Sequence, residues 1–220
     1  MNLIYVADPM CSWCYGFGKE LTALTEAHPE LPLQIVVGGV RAGDTAVMSE
    51  EMKQFRLGHW ARVESASGLT LNRDAFIALE NFVYDTEPVC RAVVTARKLA
   101  PGMAILPVFR RVQEAFYVHG RDTTSGEVLA EVAAHAMSSQ GYPIHNDTFL
   151  ATWRDQATIA ETRQDFIQAK SWGVSSFPAL LLEANGQLHT VAPGYTSARE
   201  LKHNLRLVLE RVGHRPAAMA

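Results

Sequence analysis

Cysteine is scarce. The 220-residue chain holds three, too few for a scaffold stapled by disulfides. No run of 18 apolar residues occurs, so no membrane span is expected. Neither sign of charge dominates. Twenty Lys and Arg against 23 Asp and Glu leave a formal net charge of −3, and no basic run offers a nucleic-acid footprint. Nothing resembling a charged, then apolar, then cleavable leader precedes the first predicted strand, so the expected location is the cytoplasm. The eight His residues lack ligand spacing, and His59-Trp60 and His119 read as half-buried or surface groups. There is no His-Glu-x-x-His and no phosphate-binding Gly loop. Gly38-Gly39 reads as a turn after a strand and does not match the dinucleotide fingerprint. No cofactor and no metal are expected. There is no internal repeat, and the balance of 48% hydrophobic and 20% charged residues is that of an ordinary globular protein.

What is there begins at the tenth bond. Cys11-Ser12-Trp13-Cys14 follows the apolar run Leu3-Ile4-Tyr5-Val6-Ala7 and leads into helix-compatible sequence. Two thiols across a two-residue gap, at a strand-to-helix junction, most often form a dithiol/disulfide redox pair. The unpaired amides of a helix start carry partial positive charge and favour a thiolate there. Such thiols have their pKa lowered from about 8.5 into the range of roughly 3.5 to 7.5, and the thiolate is the nucleophile. A structural zinc site is the main competing reading. It needs four N or S ligands, commonly a second Cys-x-x-Cys or a close His pair, and the sequence offers neither. Asp8 reads as closing the strand in an Asx-type turn, with proton relay from the second thiol as the alternative. Cys90, among Val89, Val93 and Val94, reads as a small buried hydrophobe.

Residues 3–7 read as a buried strand closed by Asp8-Pro9. Cys11 to about Ala27 suits a helix weakened by Gly16 and Gly18, and Leu33 to Val37 suits a second strand. Strand, helix, strand in that order suggests a parallel β-α-β unit. Segments 48–64, 73–80, 87–100, 104–119, 125–139 and 146–170 then read as helices. Thr86 and Ser125 are candidate caps. Phe76, Phe82, Tyr84, Phe109, Phe116 and Tyr117 read as the core of this helical block, or as an apolar cleft if some face the Cys pair. After Ser175-Ser176-Phe177-Pro178, the run Ala179 to Leu182, the hairpin signal Asn185-Gly186 and Leu188 to Val191 form two paired strands. Ser197 is placed to cap a last helix with Leu201, Leu205, Val208 and Leu209 on one face. Gly213 to Ala220 reads as a loose tail.

This order of elements resembles the thioredoxin fold with a helical insertion, the architecture of DsbA-like thiol–disulfide oxidoreductases. Asp8-Pro9-Met10-Cys11-Ser12-Trp13-Cys14 is similar to the FrnE-like, or protein-disulfide-isomerase-like, branch, as is Thr86-Glu87-Pro88 followed by Arg91-Ala92-Val93. The resemblance implies an α/β fold with a thioredoxin-like domain over residues 1–45 and 165–213 and a helical insertion over 46–164. It implies Cys11 as nucleophile and Cys14 as resolving thiol. It also implies a cis bond at Phe177-Pro178, with the Phe177 backbone presented to an incoming polypeptide. Ser12 and Trp13 between the thiols are expected to tune the potential or touch substrate. Neither matches the Gly-Pro of thioredoxin or the Pro-His of DsbA.

The implied partners are protein or peptide thiols and disulfides, glutathione, or a thioredoxin-type reductant, with the chain a monomer or homodimer. Two competing functions stand beside this one. Glutathione-dependent transferases or isomerases of the kappa or hydroxychromene-carboxylate type look like the same fold, but usually carry Ser in place of the first Cys. A non-enzymatic peptide-binding module or chaperone is the other.

Overall fold

The computed structural model describes residues 1–213, so the tail expected beyond Gly213 lies outside the described residues. The chain runs β1 (Asn2–Ala7), α1 (Ser12–Ala27), β2 (Leu33–Val37), then α2 (Glu50–Ser67), α3 (Arg73–Ile77), α4 (Glu87–Leu99), α5 (Ile105–Tyr117), α6 (Gly126–Ser138), α7 (Asn146–Arg154) and α8 (Gln156–Ser171), and returns through β3 (Ala179–Ala184), β4 (Gln187–Ala192) and α9 (Ala198–Arg211). The strands form one sheet in the order β2-β1-β3-β4. β1 pairs parallel with β2, Tyr5 opposite Ile35, and antiparallel with β3, Tyr5 opposite Leu180.

This is the thioredoxin fold of the DsbA-like type, as the element order implies. β1 is interior and almost wholly apolar because both faces of the sheet are covered. Leu3, Tyr5, Ile35, Val37, Leu180 and Leu182 face one core, which α1 and α9 close. Ile4, Val6, Val36, Ala179 and Leu181 face the other, against Ala169 and Trp172 at the end of α8. Strand alternation with period two sends neighbours to opposite cores.

The outer edge of β2 is shielded. Arg97 on α4 donates to the Ile35 carbonyl at 3.0 Å, and Asp165 on α8 accepts from the Val37 amide at 3.1 Å. The two side chains also bond one another at 3.0 Å, which blocks strand addition there.

Several local signals act as the sequence says. Asn185 and Gly186 both take positive φ, 54° and 73°, in the β3–β4 turn. Ser125 caps α6 through the Val128 amide, and Ser197 forms a full capping box with Glu200. Gly16 and Gly18 do not break α1. They let neighbours approach: a Cβ at Gly16 would lie 2.8 Å from Val63, and one at Gly18 only 2.0 Å from Arg110 Nη1.

Two readings need correction. The expected helix over 146–170 is split at Asp155, whose extended backbone (ψ 135°) ends α7 while its side chain caps α8 through the Ala157 amide. Thr86 occupies the N-cap position of α4, but its side chain makes no cap bond and instead accepts from the Arg41 amide at 3.1 Å. A distant backbone donor outcompetes the local one.

Candidate active site

Sheet topology brings the site together. Because β1 and β3 are antiparallel, with Val6 opposite Ala179, the end of β1 and the start of β3 meet at one rim of the sheet. Cys11 follows the first and Phe177-Pro178 precedes the second. The Cys11 Sγ lies 3.6 Å from the Phe177 carbonyl oxygen, and Phe177-Pro178 is cis. The Phe177 ring lies over Gly38, where a Cβ would sit 2.1 Å from a ring carbon. That close approach explains glycine after β2.

Cys11 is the N-cap of α1 with extended backbone, φ −83° and ψ 116°. It is half-buried, while Cys14, one turn on, is fully buried. The sulfurs are not bonded to one another. The Cys14 thiol and the backbone N–H groups of Cys14 and Trp13 hold Cys11 below the ordinary thiol range, against burial and the nearby Asp8 charge. Cys14 is pushed well up, first by burial and then by Cys11. The opposite shifts favour the thiolate on the half-buried Cys11 and the thiol on Cys14 behind it.

Asp8 is fully buried under the motif. Its carboxylate accepts from the Met10 amide at 2.8 Å and from the Val40 amide at 2.7 Å. The first bond is the Asx-type turn read from the sequence. Burial pushes its pKa up to about 6, with hydrogen bonds from Thr86, Val40, Met10 and Cys90 acting against the rise. Cys90 is buried on α4 beside it, and burial and the Asp8 charge keep its thiol neutral. Tyr5 donates to the Cys14 carbonyl at 3.3 Å. Tyr117 donates to the Met10 carbonyl at 2.6 Å, and Tyr84 donates to the same oxygen.

Trp13 is half-buried, its ring 5.7 Å from that of Tyr195, whose hydroxyl donates to the Ala66 carbonyl at 2.8 Å. Ser12 is half-buried and lines, with Cys11 and Trp13, a pocket of about 170 Å³. Its other walls include Val40, Arg41, Phe55, Arg56, His59 and Tyr84. The structure thus groups Cys11, Ser12, Trp13 and Cys14 at one helix start, with Phe177 across from Cys11 and Pro178 buried behind it.

Sequence reasoning missed Arg56 and the reach of the phenols. Arg56 is one of three Lys and Arg residues on α2 and carries no local signal. Tyr84 and Tyr117 did carry one, since a tyrosine at a core position needs a partner for its hydroxyl. Among the described residues no group of three or more His, Cys, Asp or Glu is placed to hold a metal ion, and no helix is long and apolar enough to cross a membrane.

Fold and site together define the class: a DsbA-like thioredoxin-fold oxidoreductase. Solved structures agree. A protein of Nitrosomonas europaea described provisionally as a protein disulfide isomerase superposes with a TM-score of 0.84 at 29% identity, over 96% of this chain and 98% of that one. The cytosolic disulfide reductase DsbM of Pseudomonas aeruginosa gives 0.73 at 25% identity, over 96% and 98%. A 2-hydroxychromene-2-carboxylate isomerase, at 14% identity and a TM-score of 0.64 over 97% and 98%, shares the fold alone. No family model and no curated protein matches the chain.

Proposed function

We propose that the protein exchanges disulfides with protein or peptide thiols through Cys11 and Cys14. The observation that carries this reading is the asymmetry of the pair: a half-exposed Cys11 at the α1 N-terminus and a sealed Cys14 behind it. The Cys11 thiolate attacks one sulfur of a substrate disulfide, whose S–S bond breaks and releases a thiolate. Cys14 then loses its proton, with Asp8 as acceptor, and attacks the Cys11 sulfur. The second substrate thiol leaves, the Cys11–Cys14 disulfide forms, and two electrons have passed to the substrate. Two reductant thiols then restore the pair. The first opens the Cys11–Cys14 disulfide and stays bonded to Cys11; the second displaces Cys11 and leaves with the first as their disulfide. The same steps run on substrate thiols are oxidation.

In this reading Phe177 and Pro178 hold the substrate backbone, and Ser12 and Trp13 border the sulfur under attack. The electrons reside on the two sulfurs, so no organic cofactor takes part. Glutathione and a thioredoxin-type reductant are the small and large partners. A DsbM structure described as holding glutathione supports the first, and the cytosolic description of DsbM supports a cytoplasmic location. The chain divides functionally into residues 1–45 with 165–213, which carry the sulfurs, and 46–164, which roof them.

The test is insulin reduction together with trapping. Cys11→Ser is expected to lower exchange by about 10³-fold or more, and Cys14→Ser to accumulate a mixed disulfide on Cys11. Wild-type turnover that survives Cys11→Ser would sink the proposal.

A further inference from the structure

The pocket beside Cys11 holds an unusual cation. Arg56 is half-buried on α2, its guanidinium carbon 4.2 Å from the centroid of the Tyr84 ring. Tyr84 is itself fixed by donating to the Met10 carbonyl, one residue before the nucleophile. Among the described residues its one hydrogen bond is to a backbone carbonyl of its own helix, Met52, at 3.4 Å. No carboxylate of the described residues pairs with it. The other charged wall differs: Arg41 has Asp44 at 4.0 Å. Burial, then Arg62 and Arg56, lower the pKa of His59. Phe55 stands 67% exposed at the mouth, edge-on to His59 at 4.8 Å. An aromatic stack pre-orders the guanidinium and leaves all but one of its donors open, which suits a planar carboxylate.

We infer that Arg56 selects substrates, favouring small disulfides that carry a carboxylate a few bonds from the sulfur. This rests on the exchange reading above. The carboxylate docks on Arg56 while its aliphatic stem crosses Phe55, which sets the near sulfur against Cys11. The chemistry is then the same exchange: the Cys11 thiolate bonds the near sulfur, the far half leaves as a thiolate, and Cys14 closes the protein disulfide.

Three disulfides that share a two-methylene stem and differ in end-group charge test it: dithiodipropionate (anionic), bis(2-hydroxyethyl) disulfide (neutral) and cystamine (cationic), with dithiothreitol as reductant. The wild type is expected to prefer the anionic probe to the cationic one by about tenfold or more in kcat/KM. That ratio should fall as salt rises. Arg56→Gln should bring the ratio close to one, and Arg56→Lys should keep part of it. An unchanged ratio in Arg56→Gln, or a wild-type ratio near one that salt does not move, overturns the assignment. If the Gln variant fails to fold, a wild-type ratio unchanged in Arg56→Lys overturns the assignment in its place. Failure of the wild type on all three probes would instead strike the exchange reading.

Discussion

The core beneath the sheet and the core of the helical block are built from different side chains. Leu3, Ile35, Leu180, Leu182, Leu201 and Leu205 dominate the first, with few rings. The second is a knot of Trp60, Phe76, Phe82, Tyr84, Phe116 and Tyr117, with ring centroids 4.5 to 6.2 Å apart and mostly edge-on. Aliphatic side chains fill space and fix strand register. Aromatic ones also carry polar tips. Two of those tips, on Tyr84 and Tyr117, leave their knot to hold the carbonyl of Met10. The sheet core therefore carries the Cys motif, and the helical core fixes the turn that aims it.

The sharpest way to break this comparison is a large cavity in each core. Phe116→Ala should cost about 3–5 kcal/mol and Leu205→Ala about 2–5 kcal/mol. Denaturant melts would show similar losses. Their effects on the sulfur should differ. Phe116 packs on both Tyr84 and Tyr117, at 5.9 and 5.0 Å. Its loss should slow alkylation of Cys11 under native conditions several-fold, while Leu205→Ala leaves that rate within about twofold. Equal effects on alkylation would show that the two cores contribute alike.

Asp8 sits on the seam and yields the next effect. Its carboxyl is raised from 3.8 to about 6 by burial, so the folded state holds this proton more tightly than the unfolded chain does. The favourable contribution is complete below about pH 4 and is lost as pH rises through about 6, to a total on the order of 3 kcal/mol. The stability of the wild type relative to Asp8→Asn should therefore decline between pH 4 and 7.5. A flat difference across that range contradicts the buried, ionisable Asp8.

How much of this was legible follows the same division. The strands, the Cys motif and the Asn185-Gly186 turn are written in runs of two to seven adjacent residues, and the sequence states them openly. The caps at Ser125 and Ser197 are also local, since a hydroxyl meets an amide three residues on. Thr86 was misread because its partner, Arg41, is 45 residues away. The break at Asp155 was missed because the apolar pattern of α7 and α8 runs on through it, although Asp155 itself is a good cap residue. Arg56 was invisible because its stack on Tyr84 spans two elements that only packing brings together.

The smallest effect is the most diagnostic of the seam. The Met10 carbonyl accepts from two phenols, and either alone satisfies it. Tyr84→Phe and Tyr117→Phe should each cost about 1 kcal/mol, the net worth of one hydrogen bond. The double variant leaves a buried carbonyl with no donor, whose desolvation is worth about 1–3 kcal/mol. It should lose more than the sum of the singles by about 1 kcal/mol or more, a coupling that a double-mutant cycle reads directly. The same cycle run on Cys11 alkylation should show each single variant close to wild type and the double one slowed, because the turn before the sulfur is released only when both hydroxyls are gone. Strict additivity in both readouts would mean that the helical block roofs the site without aiming it.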